Sequence, residues 1–284
     1  MQNNFKEKIA ILADSACNVV ENEDNNIFVV PLYVIFKNYS KKDLVEVRPD
    51  EIYSKIDTDA PTTSAPSVED FSEKISYIKK LGYTHIIGIS LTTSFSGTYN
   101  SMRLALEKSN INYEVLDSRS VSVGSGLLIE YGSRLIKKGL EFKKIYETIK
   151  NKRKDIKFYA IVNDLKYLIR GGRISNLKGI IGTILKITPI LSIGEDGTFS
   201  NHKSVRSKDR ALKYMSKLVK KDLEESDNYF MALSYAEDID GISDIKTELK
   251  NYIEKADFYY QVPLTSVLGA HAGPSTYVVS YMSI

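Results

Sequence analysis

The chain has 284 residues, 43% of them hydrophobic and 26% charged, which is enough to build the cores of two ordinary domains. Its 39 Lys and Arg residues nearly balance its 36 Asp and Glu residues, for a formal net charge of +3, and this balance argues against a dedicated nucleic-acid binder. A single cysteine, Cys17, excludes an internal disulfide and a thiolate metal cluster.

No signal-peptide core is present in the opening stretch MQNNFKEKIAILADS. No apolar run in the sequence reaches the roughly 18 residues that a membrane helix needs. We therefore expect a soluble, cytoplasmic protein without an integral membrane segment.

Short apolar runs alternate with helical patterns in the first half of the chain. The apolar runs predict strands, mostly buried on both faces, at residues 8–15, 27–36, 84–91 and 112–118. Apolar residues at helical spacing predict helices at residues 68–82, 97–109, 122–139 and 141–155. This alternation is typical of a parallel sheet with helices on its faces.

The second half of the chain has a different order of elements. It begins with a predicted strand at 157–162, two helices within 163–187 broken at Gly171–Gly172, and a hairpin over 188–205. The pattern continues with a helix at 207–225, a strand at 229–236, a helix at 241–255 and a last pair of strands within 261–283. We predict an α/β protein of two domains, a parallel-sheet domain at 1–156 and a mixed-sheet domain at 157–284.

Two hydroxyl-rich stretches lie next to predicted helices. The stretch Ser90–Thr98, SLTTSFSGT, ends a strand and enters a helix, and PTTSAPS (61–67) is predicted as a loop whose Ser67 caps the next helix. If Ser96 or Thr98 is the N-cap of this helix, that role explains one of the six hydroxyls of Ser90–Thr98 and leaves the other five unexplained. A helix N-terminus among hydroxyl donors favours an anion site for phosphate, carboxylate or sulfate. Neither a P-loop nor a G-x-S-x-G elbow is present, which disfavours a nucleotide triphosphate and a hydrolase.

The segment Asp14–Cys17 ends the first predicted strand. Ligands of open α/β sheets bind beyond such strand ends, but a cap on the following turn explains the same residues equally well. Cys17 is more often a buried apolar residue than a nucleophile.

Two basic residues are candidates for a site in the second half. Arg173, in RGGRIS, is either an anion clamp or a surface charge beside a helix start capped by Ser175. His271, in LGAHAGPS, is placed at a strand end, where its small neighbours leave room for a ligand, although a lone histidine is usually structural. His85 and His202 lie far apart in sequence without metal-ligand spacing, so we expect no metal site.

Seven segments, in order, resemble the motifs of the DegV family of bacterial lipid-binding proteins. They are ADSACN, TSAPS, SFSGTYNS, VLDSRSVSVGSGLL, YLIRGGRIS, LKITPIL and GAHAGP. The departures are Asn18 where the family usually has Asp, Ala65 for a usual Gln, Thr188 for a frequent Lys, and Ser275–Tyr277 for a smaller segment. Tyr277 is expected to alter the shape of the pocket.

The resemblance implies a long-chain fatty acid in a tunnel of the C-terminal domain, with its carboxylate at the domain interface. Thr63 and Ser96 would hydrogen-bond the carboxylate, and His271, partly protonated if its pKa is near the ordinary 6.5, would lie beside it. Arg173 and Arg206 would supply positive charge. Further candidate neighbours of the head group are Ser94, Gly97 and Thr98, and candidates for the tunnel wall, equally explained as ordinary core, are Ile180, Ile181, Ile184 and Leu185.

The resemblance also implies a partner and no cofactor beyond the bound fatty acid. Members of the family serve as the fatty acid-binding subunit of bacterial fatty acid kinase, in which a separate Dak-type subunit brings ATP and the product is an acyl phosphate for phospholipid synthesis. The alternatives are a free-standing hydrolase or phosphotransferase with Ser96 as nucleophile and His271 as base, and a regulatory lipid sensor. No motif places a carboxylate to orient His271, which weakens the enzyme alternative.

Overall fold

The computed structural model describes residues 7–174, 177 and 187–284. In chain order, the elements of the first half are β1 (Ile9–Asp14), β2 (Ile27–Val30), β3 (Tyr33–Ile35), β4 (Ser40–Lys42), α1 (Pro49–Lys55), β5 (Thr62–Ser64), α2 (Val68–Lys80), β6 (His85–Ser90), α3 (Thr98–Glu107), β7 (Asn112–Asp117), α4 (Val123–Lys137) and α5 (Phe142–Lys152).

The elements of the second half form a larger unit of mixed strands. They are β8 (Ile156–Val162), α6 (Lys166–Gly171), β9 (Thr188–Ile193), β10 (Phe199–Val205), α7 (Lys208–Leu223), β11 (Tyr229–Tyr235), α8 (Ile239–Glu248), α9 (Lys250–Lys255), β12 (Phe258–Pro263), α10 (Ser266–Ala272) and β13 (Thr276–Ser283). Among the described residues, none of the helices combines the length and the apolar character that crossing a membrane requires.

Two main sheets organise the protein, as the sequence predicts. The first has the strand order β2-β1-β6-β7 and is parallel throughout. The second has the order β10-β9-β8-β13-β11-β12, in which only β11 and β12 are parallel. The two α/β domains predicted from the sequence are therefore confirmed, whereas the exact boundary between them stays a prediction.

Helix α4 lies between the two sheets and is buried along most of its length. Small residues allow this close packing: a β-carbon on Gly126 would lie 2.9 Å from the carbonyl oxygen of Cys17 and 2.1 Å from the Tyr260 hydroxyl. A helix that packs on two sides is expected to be buried over most of its surface. The charged residues of α4 lie from its middle towards its C-terminus, at Glu130, Arg134 and Lys137. The core around α4 joins residues of both sheets into one cluster.

Several local predictions are wrong, each for an identifiable reason. The run at 27–36 is not one strand, because Pro31 lacks an N–H and separates β2 from β3, which pairs with β4 and β5 in a small third sheet. Residues 62–64, predicted as loop, are strand β5. The predicted helix at 241–255 is two helices that meet at Leu249.

The end of the chain also differs from its prediction. Strands β12 and β13 are not neighbours, because β11 lies between them. The segment that joins them contains helix α10, so His271 lies in the last turn of a short helix and not at a strand end.

Candidate ligand-binding site

A narrow cavity of about 100 Å³ lies between the two sheets. Its wall is largely apolar and comes from both halves of the chain. The described wall consists of Ala16, Leu32, Thr63, Ser64, Ala65, Leu91, Phe95, Ser96, Val121, Ser122, Phe158, Ala160, Val162, Leu168, Arg173, Phe199, Leu264, Val267, Leu268, His271, Ala272, Thr276 and Val278.

A hydrogen bond joins Thr63 and His271 at this cavity. Thr63 Oγ1 lies 2.7 Å from Nε2 of His271. Strand β5 places the hydroxyl here because successive side chains of a strand point to opposite faces, so that Thr62 is exposed while Thr63 turns inward. Helix α10 packs against β5 and brings the imidazole to the same point. Two polar groups that are distant in sequence thus meet at one place in an apolar wall.

His271 is held in its neutral form. Burial, followed by the positive charges of Arg173 and Arg170, lowers the pKa of His271 from its ordinary 6.5 to about 4. The expectation of partial protonation near pH 7 is therefore wrong for the protein alone. A neutral imidazole beside a hydroxyl supplies directed hydrogen bonds without a full charge.

Arg173 connects His271 to the loop that carries Ser96. Its guanidinium donates one hydrogen bond from Nε to the carbonyl of Phe95 at 3.1 Å and another to the carbonyl of Gly171. Gly171 packs directly against the His271 ring. Arg173 is half-buried and lines the cavity, and its role as an anion clamp stays a prediction.

Ser96 also lines the cavity, at the start of α3. Its Oγ shares a hydrogen bond with Oγ1 of Thr98 at 2.8 Å and accepts from the Thr98 N–H at 3.3 Å. Neither residue is the N-cap of α3, since Gly97 has that position and no side chain caps the helix. The Ser96 hydroxyl lies at the N-terminus of α3, where the N–H of Thr98 donates to it and the N–H of Asn100 donates to the carbonyl of Gly97. The positive end of the helix dipole at this point favours an anion.

The other hydroxyls of Ser90–Thr98 have structural roles. Ser90 donates to the carbonyl of Leu91, Thr93 to Asp117, and Ser94 to the carbonyl of Asp196, whereas Thr92 accepts from the Ser94 N–H. Loop geometry explains most of the hydroxyls that make this stretch conspicuous in the sequence.

Contacts with the β9–β10 hairpin fix the loop that carries Ser96. The Ser94 hydroxyl lies 2.9 Å from the carbonyl oxygen of Asp196, in the hairpin turn. Next to it, the rings of Phe95 and Phe199 stack with centroids 4.6 Å apart. The cavity wall at this point thus depends on contacts between the two halves of the chain.

Other predicted neighbours of the head group do not reach the cavity wall. Ser94, Gly97 and Thr98 lie next to it in the chain without lining it, and Arg206 is exposed after the end of β10. The expectation that Tyr277 shapes the pocket is wrong, because its ring packs against Gly241 on the other face of the sheet. The predictions for Ser175, Ile180, Ile181, Ile184 and Leu185 lie outside the described residues.

Asp14 holds the backbone of two residues of the cavity wall, Ala16 and Leu91. It caps the turn Ser15–Cys17 by accepting from Ala16 N, as one reading of the sequence predicts, and it also accepts from Leu91 N at 2.9 Å. Burial raises the pKa of Asp14 to about 7. Cys17 is fully buried, in agreement with its prediction as an apolar residue.

Sequence reasoning missed the aromatic part of the wall. Phe95, Phe158 and Phe199 come from three separate segments, and the ring centroids of Phe158 and Phe199 are 6.3 Å apart. Their strand or loop positions are typical of ordinary core residues, so no local signal distinguishes them.

A family model described as "Uncharacterised protein, DegV family" matches residues 8–283. The chain belongs to the DegV family. A DegV domain-containing protein of Clostridium acetobutylicum is 36% identical over 273 residues, which cover 94% of this chain and 96% of the relative.

Solved structures agree with this assignment. A fatty acid-binding DegV family protein from Thermus thermophilus has a TM-score of 0.91 and 25% identity, and the match covers 98% of this chain and 100% of that one. The Fatty Acid Kinase (Fak) B3 protein of Streptococcus pneumoniae, loaded with linoleic acid, matches with a TM-score of 0.84 over 98% of this chain and 100% of that one. At 19% identity, this second likeness shows the fold alone.

Proposed function

We propose that the protein binds a long-chain fatty acid with its carboxylate at Thr63, Ser96 and His271. The observation that carries the proposal is the hydrogen-bonded Thr63–His271 pair set into an apolar wall. Arg173 supplies positive charge at the same place. Fatty acid binding by the DegV protein of Thermus thermophilus supports the proposal.

The tail provides most of the affinity. A fatty acid of about 14–18 carbons is expected, and burying the roughly 14–16 methylenes of a C16 or C18 chain contributes about 11–13 kcal/mol before the costs of binding. One or two hydrogen bonds to the carboxylate contribute far less. The cavity, at about 100 Å³, is smaller than the roughly 300–1,000 Å³ of common ligand pockets, so its walls must move apart as a tail enters.

We further propose that the protein is a carrier that presents the carboxylate to a separate Dak-type kinase subunit, which phosphorylates it to an acyl phosphate. Hydroxyl and imidazole hydrogen bonds orient a carboxylate oxygen and leave it able to attack a phosphoryl group. Attack forms the new P–O bond as the nucleotide's terminal P–O bond breaks and ADP leaves. The chemistry needs no nucleophile from this chain.

Two hydrogen bonds weigh against the alternative of a free-standing hydrolase. His271 Nε2 contacts Thr63, whereas the hydroxyl of Ser96 contacts Thr98. In the described part of the chain, no carboxylate is hydrogen-bonded to His271 to orient it as a base. A regulatory sensor would use the same site but would not support acyl phosphate formation.

The experiment compares two double variants for fatty acid content and for acyl phosphate formation with a Dak-type kinase. Thr63→Ala with Ser96→Ala should keep most of the lipid, because tail burial persists, and should lose most of the turnover. The control, Thr62→Ala with Ser76→Ala, removes two exposed hydroxyls of the same types and should behave as the wild type. Persistent absence of fatty acid from the wild type, even after addition, contradicts binding.

Turnover separates the remaining alternatives. Full turnover in the Thr63→Ala, Ser96→Ala variant contradicts the head-group assignment. Lipid binding by the wild type without any acyl phosphate formation favours the sensor. Ester hydrolysis by the protein alone that disappears in His271→Ala favours the enzyme.

A further inference from the structure

A second cleft, of about 460 Å³, opens where the end of α5, the start of β8 and the β9–β10 hairpin meet. It lies next to the first cavity and shares Phe158 with its wall. Five positively charged side chains line it, and Glu195 is the one carboxylate in its described wall. These five are Arg119, Lys150, Arg153, Lys154 and Lys157.

Most of these side chains form no ion pair with another described residue. Lys150 forms an ion pair with Glu147 at 3.4 Å. Across the described residues, Arg119, Arg153, Lys154 and Lys157 form no ion pair within 4.0 Å. A concave surface lined by charges of one sign concentrates the electrostatic field and attracts ions of the other sign.

Two arginines of the cleft are held in place by one residue. Nη1 of Arg153 donates to the carbonyl of Asp117 at 2.7 Å, and the backbone N–H of Arg119 donates to the Asp117 carboxylate at 2.8 Å. Arg119 has a backbone φ of 52°, an uncommon conformation for a residue other than glycine. The backbone of Arg119 is therefore fixed, and the guanidinium of Arg153 is held directly.

The guanidinium groups of Arg119 and Arg153 repel each other. Burial, and then the charge of Arg119, lower the pKa of Arg153, and the nearby Asp117 carboxylate opposes this only in part. Bringing like charges together at a half-buried position costs free energy that a bound anion would recover.

We propose that this cleft binds a phosphate-bearing polyanion through its diphosphate or triphosphate group. Guanidinium groups match phosphate oxygens in geometry, and lysines add charge without strict direction. The rings of Tyr159 and His202, with centroids 5.2 Å apart, form part of the cleft wall beside the charged side chains. This cleft adjoins the first cavity, but the proposal does not rest on fatty acid binding there.

A residue of the cleft wall, Arg119, also lies near the loop that carries Ser96. A β-carbon on Gly197 would lie 3.3 Å from Cα of Arg119 and 2.2 Å from Oγ1 of Thr92. Arg119 therefore lies against the hairpin turn that holds Ser94. An anion bound at the cleft is close to the backbone that positions Ser96.

Calorimetric titration with pyrophosphate at low ionic strength tests the proposal. The variant Lys154→Gln with Lys157→Gln should bind about fivefold more weakly or worse, because it removes two unpaired charges from the wall. The control, Lys138→Gln with Lys144→Gln, lowers the net charge equally at two exposed lysines outside the cleft and should stay within about twofold of the wild type.

Absence of pyrophosphate binding to the wild type at millimolar concentration overturns the proposal. Equal weakening in both lysine pairs overturns it too, since only net charge would then matter. A parallel titration with ATP and with tripolyphosphate, which carry the same number of phosphates, distinguishes the sources: tighter binding of ATP assigns the group to a nucleotide, and equal or tighter binding of tripolyphosphate assigns it to a free polyphosphate. Fatty acid content should be the same in all variants.

Discussion

Gly171 lies directly against the imidazole of His271: a β-carbon at position 171 would be 2.1 Å from Nδ1 and 2.7 Å from Cε1 of the ring. Such distances are too short for any real contact. A side chain at this position therefore requires the His271 ring or helix α6 to move.

Gly171→Ala should for this reason disturb the site without removing any polar group. Alanine in a helix normally stabilises by up to about 1 kcal/mol relative to glycine, but here the clash should make the variant less stable than the wild type. Urea denaturation gives the free energy of unfolding, and acyl phosphate formation with a kinase gives the effect on the site. A variant more stable than the wild type with unchanged turnover would show that the ring is not confined by Gly171.

The His271 ring should be neutral at pH 7 in the lipid-free protein. Burial and two nearby arginines lower its pKa to about 4, and a bound carboxylate should raise the pKa because it favours the imidazolium. NMR titration of the ring measures both values, and the chain has only three histidines, so His85→Gln and His202→Gln variants assign the signals. A fatty alcohol of the same length is the control ligand and should raise the pKa less. An unchanged His271 pKa on fatty acid binding would contradict the head-group assignment.

Stability should depend on pH through the same residue. The folded pKa of about 4 lies below the ordinary value of 6.5, so the contribution of neutral His271 is complete above pH 6.5 and is lost as the pH falls towards 4. Between pH 7 and pH 5 the loss amounts to about 2 kcal/mol. The wild type should lose this much more stability than His271→Gln in urea denaturation over that interval. Parallel curves for the two proteins would show that His271 is not buried as described.

The sequence was sufficient for the two sheets and insufficient for the shape of the site. Strands such as β1 and β6 carry their signal locally, in apolar runs, and helix α2 has its capping box at Ser67 and Asp70. The Thr63–His271 contact is not local, because it joins residues 208 positions apart. The resemblance of whole motifs implies that both residues lie at one carboxylate, but it does not predict the direct contact between them.

The errors have a common physical origin. The apolar pattern alone does not separate β2 from β3, since the break depends on one missing N–H at Pro31. It does not reveal α10 either, because three of the seven residues of that helix are glycine or alanine and only two are bulky apolar residues. The lowered pKa of His271 depends on burial and on Arg170 and Arg173, which only the folded chain brings together. Properties set by tertiary contacts cannot be read from local composition.

Asn18 connects the two halves of the molecule through hydroxyls on both sides. Its side-chain amide donates to Ser234 at 2.9 Å and to Ser122 at 3.3 Å, and the residue is 4% exposed. Its backbone φ of 55° is one that Asn and Asp tolerate better than other non-glycine residues.

Asn18→Asp should keep the shape of this residue and reverse the direction of its hydrogen bonds. A carboxylate only accepts, so the hydroxyls of Ser122 and Ser234 would have to rotate and donate to it. Burial should raise the pKa of the new carboxyl group above about 3.9, so the destabilisation should be small at pH 4 and grow as the pH rises through that folded pKa. We expect a loss of about 1–3 kcal/mol at pH 8 relative to the wild type.

Asn18→Ala is the control, since it removes both hydrogen bonds and adds no ionisable group, so its loss should be the same at both pH values. Urea denaturation of the three proteins at pH 4 and pH 8 makes the comparison, and an Asn18→Asp variant whose deficit does not change with pH would show that the new carboxylate reaches solvent.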